Sequence, residues 1–328
     1  MPKLLSIRTL TLFLVVCWML APNAVARVED PKPTEHPFLW MLESDDAKVP
    51  SFLYGTIHVP DPRVLALPEI VTSAIDSCDA LYTELPMEMG AQMSGMSRMM
   101  LPGMKTLRDV LPEELYGRLD AYLRARGMSL APFGKFKVWA VTMQLGLLDV
   151  LREFPGELPL DMVIYNCAKG DGKEVGGLET MDEQLDVFDK MSEDDQVRYL
   201  ELTLDQLDAQ PEGLPMIEQM IRSYLAGSVS SLNEMLDEMP GSEEDFGGPL
   251  MERLLDDRNV RMADRIAEKV RANPGRSYFF AVGAGHYLEE GGVGTLLREK
   301  GFDVKRIAAP ESDSKAPTAT PERRRRAI

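Results

Sequence analysis

The β-type segments of this chain gather near its two ends, and the long stretch between them reads as helix. Phe38–Met41 (FLWM) and Ser51–Ile57 (SFLYGTI) are apolar runs separated by a polar LESDDAKVP turn, the pattern of a β-hairpin. Ala80–Leu85 (ALYTEL) and Glu174–Leu178 are further candidate strands, and Ser277–Gly283 (SYFFAVG) and Phe302–Ile307 (FDVKRI) arrive only at the far end. Helical spacing marks Leu67–Cys78, Leu111–Arg126, Val138–Leu151, Leu160–Lys169 and nearly everything from Met181 to about Asn273. Neither terminal set of strands buries both its faces alone, so the two sets must meet in one sheet. The expected fold is α/β, with a mixed β-sheet core built from N- and C-terminal strands and a large helical middle region.

One local pattern occurs at both ends. Tyr54-Gly55-Thr56-Ile57-His58 and Val282-Gly283-Ala284-Gly285-His286 each run an apolar strand into Gly-x-x-His. Either histidine alone reads as a structural residue bonded to backbone. The chain has only three histidines, however, and two of them fall in this one context. Loops at the carboxyl ends of strands are where α/β folds build sites, and glycine lets backbone approach closely. Glu84, in LYTELP, is an acidic residue in an apolar strand, costly there unless paired or coordinated. Two histidines and a carboxylate at strand ends form a plausible three-ligand set for a catalytic divalent metal. Glu179, in GGLET, follows another strand: it reads either as a general base or orienting carboxylate at the site, or as part of a helix cap with Thr180. Arg258 and Asn259 read as salt-bridged helix packing, and His36, set among prolines, as exposed and idle.

The ends of the chain read as appendages. Lys3 and Arg8, the apolar run Leu10–Leu20 and Ala24-Val25-Ala26 have the layout of a secretory signal peptide over residues 1–26. From Pro310 the sequence is rich in Pro, Ser and Thr and ends in four arginines, the composition of a disordered tail. The expected organisation is therefore a signal peptide (1–26), one α/β domain (27–309) and a tail (310–328), in a periplasmic or secreted protein with no integral membrane segment after cleavage. With 53 Asp and Glu against 36 Lys and Arg the formal charge is −17, which argues against a nucleic-acid partner. The partner expected instead is a peptide or a small-molecule substrate; oligomeric state is left open.

Removing residues 1–26 leaves Cys78 and Cys167, which either pair or remain two buried thiols. Met87–Met104 holds seven of the 21 methionines, readable as a lid over a groove, as simple packing or as a Cu(I) site. No Gly-x-Ser-x-Gly is present, so a serine nucleophile elbow is not indicated.

In order and spacing, PFLWMLE…SFLYGTIHVPD, LYTELP, LDMVIYNCAKGDGKEVGGLETMDEQ, LLDDRNVRMADRI and FFAVGAGHYLEEGGVGTLLREKGFDV resemble the TraB/GumN family, which includes the TIKI metalloproteases. The resemblance covers roughly residues 36–308. It implies a TIKI/erythromycin-esterase-like fold and a metal-dependent hydrolase, metalloprotease-like, with the family's two Gly-x-x-His motifs on Gly55–His58 and Gly283–His286 and its acidic position on Glu84. The implied cofactor is a divalent transition metal such as Mn, Co or Zn held by His58, Glu84 and His286, with Glu179 accepting a proton or orienting a ligand. The sequence departs from the family where Tyr287-Leu288-Glu289-Glu290 precedes Gly291-Gly292. Two alternatives on the same residues are a binding protein without turnover, for haem or another small molecule, and a metal-free esterase with His58 as base.

Overall fold

The computed structural model describes residues 32–154, 156–209, 216–237, 250, 252–287 and 291–307, so the expected signal peptide and tail lie outside the described residues. Strands β1 (Leu39–Glu43) and β2 (Ser51–Thr56) form the antiparallel hairpin that the polar turn predicts, with Leu39 opposite Tyr54. Strands β3 (Ala80–Thr83), β4 (Glu174–Gly177), β5 (Tyr278–Gly283) and β6 (Asp303–Ile307) complete one sheet in the order β4-β3-β5-β2-β1-β6. The two ends of the chain meet as required. The late strand β5 lies between β3 and β2, parallel to both, and β6 pairs antiparallel with β1. Strand β5 is apolar on both faces, as strands of a covered parallel sheet are: Tyr278 through Val282 are buried without interruption.

The helices of the main core are α1 (Pro62–Leu65), α2 (Glu69–Ser77), α7 (Leu160–Gly170), α10 (Met216–Leu225), α11 (Val229–Asp237), α12 (Asp257–Ala272) and α13 (Val293–Glu299). Their buried residues share one cluster with the strands. Helix α12 shows how: Met262, Ala263, Ile266, Ala267 and Val270 recur at helical spacing and are all buried. The other helices, α3 (Met89–Arg98), α4 (Leu107–Val110), α5 (Glu113–Ala125), α6 (Val138–Glu153), α8 (Met181–Asp189) and α9 (Glu193–Asp208), belong to the helical middle of the chain. There α4, α5, α6 and α9 pack leucines around Leu119 and Val141, and α6 stacks Trp139 on Phe188 of α8.

Because β4, β3, β5 and β2 are all parallel, their carboxyl ends fall on one edge of the sheet. His58, Glu84, Glu179 and His286 each follow one of these four strands within three residues. The glycines of the two Gly-x-x-His motifs are fixed by contact. A Cβ on Gly55 would stand 2.8 Å from the Cβ of Phe38 and 3.3 Å from the Cα of Ala284, so the first motif packs directly onto the second. A Cβ on Gly283 would stand 2.8 Å from Oε1 of Glu84.

Three expectations are corrected or narrowed. Cys78 is buried with its Sγ 3.4 Å from Ser277 Oγ, but Cys167 is exposed and both are free thiols, so the described chain has no disulfide between them. The Met-rich stretch is largely the helix α3, held to α8 by Arg98, which bridges Asp182, Asp186 and Asp189. His36 is half-buried rather than exposed: its backbone N–H donates to Thr34 Oγ1, and it packs closely on Gly227.

Candidate functional site

Each side chain on the shared edge is held by a specific partner. Glu84 is buried, and its Oε1 accepts the backbone N–H of Gly283 at 2.6 Å while its Oε2 accepts an Nη2–H of Arg258 at 2.6 Å. Burial works to raise the carboxyl pKa, but His286, Arg258, His58 and the Gly283 N–H outweigh it and hold Glu84 down at about 2. Glu179 has a fully buried side chain gripped by two arginines. Its Oε2 accepts from Nε of Arg258 at 2.7 Å, and its Oε1 from Nε and Nη2 of Arg261 at 3.0 and 2.8 Å. Thr180 caps α8 with Glu183 in a reciprocal capping box, so the cap and the Glu179 contact coexist. Arg258 thus joins β3 to the β4 loop through two buried carboxylates.

The two histidines are held in parallel ways by different chemistry. His286, on the one-turn helix Ala284–Tyr287, is buried, and its Nδ1 lies 2.7 Å from Oδ1 of Asn259. Burial pushes its pKa down to about 4 even though Glu84 pulls upward, so the ring is neutral near pH 7. Its Nε2 stands 3.8 Å from Oε1 of Glu84. His58 presents a side chain that is 60% exposed, with Nδ1 2.7 Å from Oδ2 of the buried Asp161. The Asp161 carboxylate, by its charge and its hydrogen bond, raises His58 to about 9. Thr56, two residues before His58, donates its hydroxyl to the other Asp161 oxygen. Behind this pair Tyr224 donates to the Gly55 carbonyl oxygen at 2.8 Å, fixing the backbone that leads into His58.

All four sequence-derived residues therefore lie on one edge, and His58, Glu84 and His286 feel one another electrostatically. Three partners were missed or read only as packing. Asp161 sits in LDMVIY, where an acid in the first turn after Pro159 reads as an ordinary helix-start charge. Arg258 and Asn259 do make buried polar contacts, as a helix-packing reading expects, but the contacts are to site residues. The signal available was two large polar residues on the buried face of an otherwise apolar stripe in α12.

The donor set suits a transition metal. Both histidines have Nδ1 engaged by an oxygen on a neighbouring helix, which leaves Nε2 for a ligand, and Glu84 adds a carboxylate. Among the described residues no three His, Cys, Asp or Glu side chains are drawn close enough to enclose an ion as they stand, and Glu84 is engaged by Arg258 and Gly283.

Residues 38–306 match the TraB/PrgY/gumN family, a span that takes in the whole sheet but for the last residue of β6. The chain belongs to that family. Among characterised proteins it is similar to Metalloprotease TIKI1 of Danio rerio, at 27% identity over 90% of this chain and 70% of that protein. It is also similar to Metalloprotease TIKI1 of Homo sapiens, at 28% identity over 83% of this chain and 62% of the relative. A shorter relative, the uncharacterized protein YbaP of Shigella flexneri, is 25% identical over 76% of this chain and 88% of its own length. The chain spans about 61–70% of the length of the first TIKI relatives it matches. No solved structure gives a significant match. Among the described residues, no helix is long and apolar enough to cross a membrane.

Proposed function

We propose that this chain is a secreted or periplasmic metal-dependent hydrolase of the TIKI type, cleaving amide bonds in peptides. The observation that carries the reading is the convergence of His58, Glu84 and His286 on the carboxyl edge of one parallel sheet, in a chain similar to proteins named metalloproteases. His58, Glu84 and His286 would hold a divalent transition metal such as Mn, Co or Zn, which when bound supplies Lewis acidity and lowers the pKa of water toward neutrality.

The chain's own residues then divide the remaining work. Asp161 and Asn259 hold the two imidazoles by Nδ1. His286 and Arg258 hold the Glu84 pKa at about 2 against its burial, so a carboxylate rather than a carboxylic acid faces the site near neutral pH. Glu179, with both oxygens occupied by guanidinium groups, orients Arg258 instead of accepting a proton. Both halves of the edge are needed, one from each end of the chain.

The test is elemental mass spectrometry on residues 27–328 beside a His58→Ala/His286→Ala double variant, paired with peptide hydrolysis before and after chelation. About one metal per chain, lost in the variant, together with chelator-sensitive cleavage, is the expected result. A protein that takes up no Mn, Co or Zn under any condition sinks the reading. A second reading, favoured by the Asp161–His58 contact, uses His58 as a base without metal, with activity rising as pH approaches about 9; hydrolysis untouched by chelator and abolished by His58→Ala would select it.

A further inference from the structure

Asn259 is fixed at both ends of its amide. Its Nδ2 donates to the carbonyl oxygen of Gly291 at 3.1 Å, and its Oδ1 lies 2.7 Å from Nδ1 of His286. A carbonyl oxygen only accepts and an amide nitrogen only donates, so the Gly291 contact dictates which way the amide faces. Oδ1 is thereby left against the imidazole, and Oδ1 has no hydrogen to give. If Nδ1 were bare, two acceptors would face each other at hydrogen-bond distance in a buried site, a repulsive arrangement with both groups unsatisfied. Nδ1 must carry the hydrogen.

Among the described residues the other ring nitrogen has no acceptor within hydrogen-bond distance. Nε2 is 3.8 Å from Glu84 Oε1, beyond a hydrogen bond, and that oxygen already accepts from Gly283. A neutral imidazole, the form that binds a metal, carries one ring hydrogen, so a hydrogen on Nδ1 leaves Nε2 with its lone pair. We infer that Asn259 is a positioning residue of this site: it selects the Nδ1–H tautomer of His286 and presents the Nε2 lone pair to the carboxyl edge of the sheet before any ligand arrives. The use made of that lone pair rests on the hydrolase reading above; the tautomer itself does not.

Tautomers are read directly by long-range proton–nitrogen correlation spectra of ¹⁵N-histidine-labelled protein. The chain offers only three signals, from His36, His58 and His286, and His36→Gln and His58→Gln variants assign them. The samples are metal-stripped wild type, Asn259→Leu and Asn259→Asp near neutral pH. The expected result is a pure Nδ1–H pattern for His286 in the wild type, loss of that pattern in Asn259→Leu, and a hydrogen retained on Nδ1 in Asn259→Asp, whose carboxylate can only accept. An Nε2–H pattern in the wild type overturns the inference even if the leucine variant fails to fold. An unchanged tautomer in a folded Asn259→Leu protein overturns it as well, because it would leave Asn259 a purely structural residue.

Zinc titration of the same samples separates this inference from the function. A folded Asn259→Leu protein should lose roughly 10–100-fold in zinc affinity, the usual cost of removing such a partner of a ligating histidine, and Asn259→Asp should recover most of it. A wild type that shows the Nδ1–H tautomer and binds no zinc, manganese or cobalt refutes the metal-dependent hydrolase while supporting the role of Asn259.

Discussion

Replacing Arg258 by Ala should destabilise the fold by about 3 kcal/mol at neutral pH, the lower part of the range of roughly 3–5 kcal/mol for breaking a buried ion pair. The lower part applies because each orphaned carboxylate keeps some compensation: Glu179 retains Arg261, and Glu84 retains the Gly283 N–H. Both carboxylates are nonetheless buried, so the loss exceeds that of a surface pair. Urea unfolding followed by circular dichroism measures it directly. The pH dependence gives a sharper signature. In the wild type Glu84 sits at about 2, below its ordinary value of 4.5, so its contribution is fully present above that ordinary value and fades as pH falls toward about 2. Without Arg258 the Glu84 pKa should rise from about 2, so the deficit of the variant should shrink as pH falls from neutral into the acid range. Arg258→Lys keeps the charge but not the fork, and should fall between the two. A second substitution, Glu84→Gln, should cost much less in the Arg258→Ala background than in the wild type. A deficit below about 1 kcal/mol, or strict additivity of the two substitutions, would refute the reasoning, since neither fits a buried charge left without its partner.

Other outcomes follow from the same geometry. Asp161→Asn should bring His58 down from about 9 toward an ordinary imidazole value, read by NMR titration. Because the raised pKa contributes stability below about 6.5 that is lost as pH rises through about 9, the variant should also lose that slope; with the ring largely in water the contribution is at most about 1 kcal/mol. Gly55→Ala should cost about 1–3 kcal/mol in urea unfolding, because the new methyl meets Phe38 and the backbone of Ala284. In native protein lacking residues 1–26, a thiol reagent should label Cys167 quickly and Cys78 only on unfolding, since burial both shields the Cys78 thiol and raises its pKa.

The parts of the site legible in sequence are those whose local context is itself unusual. His58 and His286 stood out because one short pattern occurs at both ends of the chain, and Glu84 because a carboxylate ends an apolar strand. The hairpin was legible from its polar turn, and the meeting of the two chain ends from the inability of either strand set to cover itself. What stayed hidden depends on the lie of helices across the sheet. An aspartate at the start of α7 looks the same whether it faces water or the ring of His58, and only the packing of α7 decides between them. Arg258 and Asn259 are adjacent in α12, yet one reaches Glu84 and Glu179 and the other His286, a division set by the register of that helix over the strand ends. Composition had no bearing on it.

The place of β5 has a consequence for how the protein is made. It is the fifth strand in order of synthesis, but it lies between the second and third, so β2 and β3 have no direct contact through which to pair early. Until more than 280 residues have been produced, both strands present open edges and Glu84 lacks the Gly283 N–H that it accepts. A topology so dependent on distant pairings folds slowly, and no shorter amino-terminal fragment can hold both histidines. Any hydrolytic activity built on this edge therefore begins only when β5 has slotted between β2 and β3.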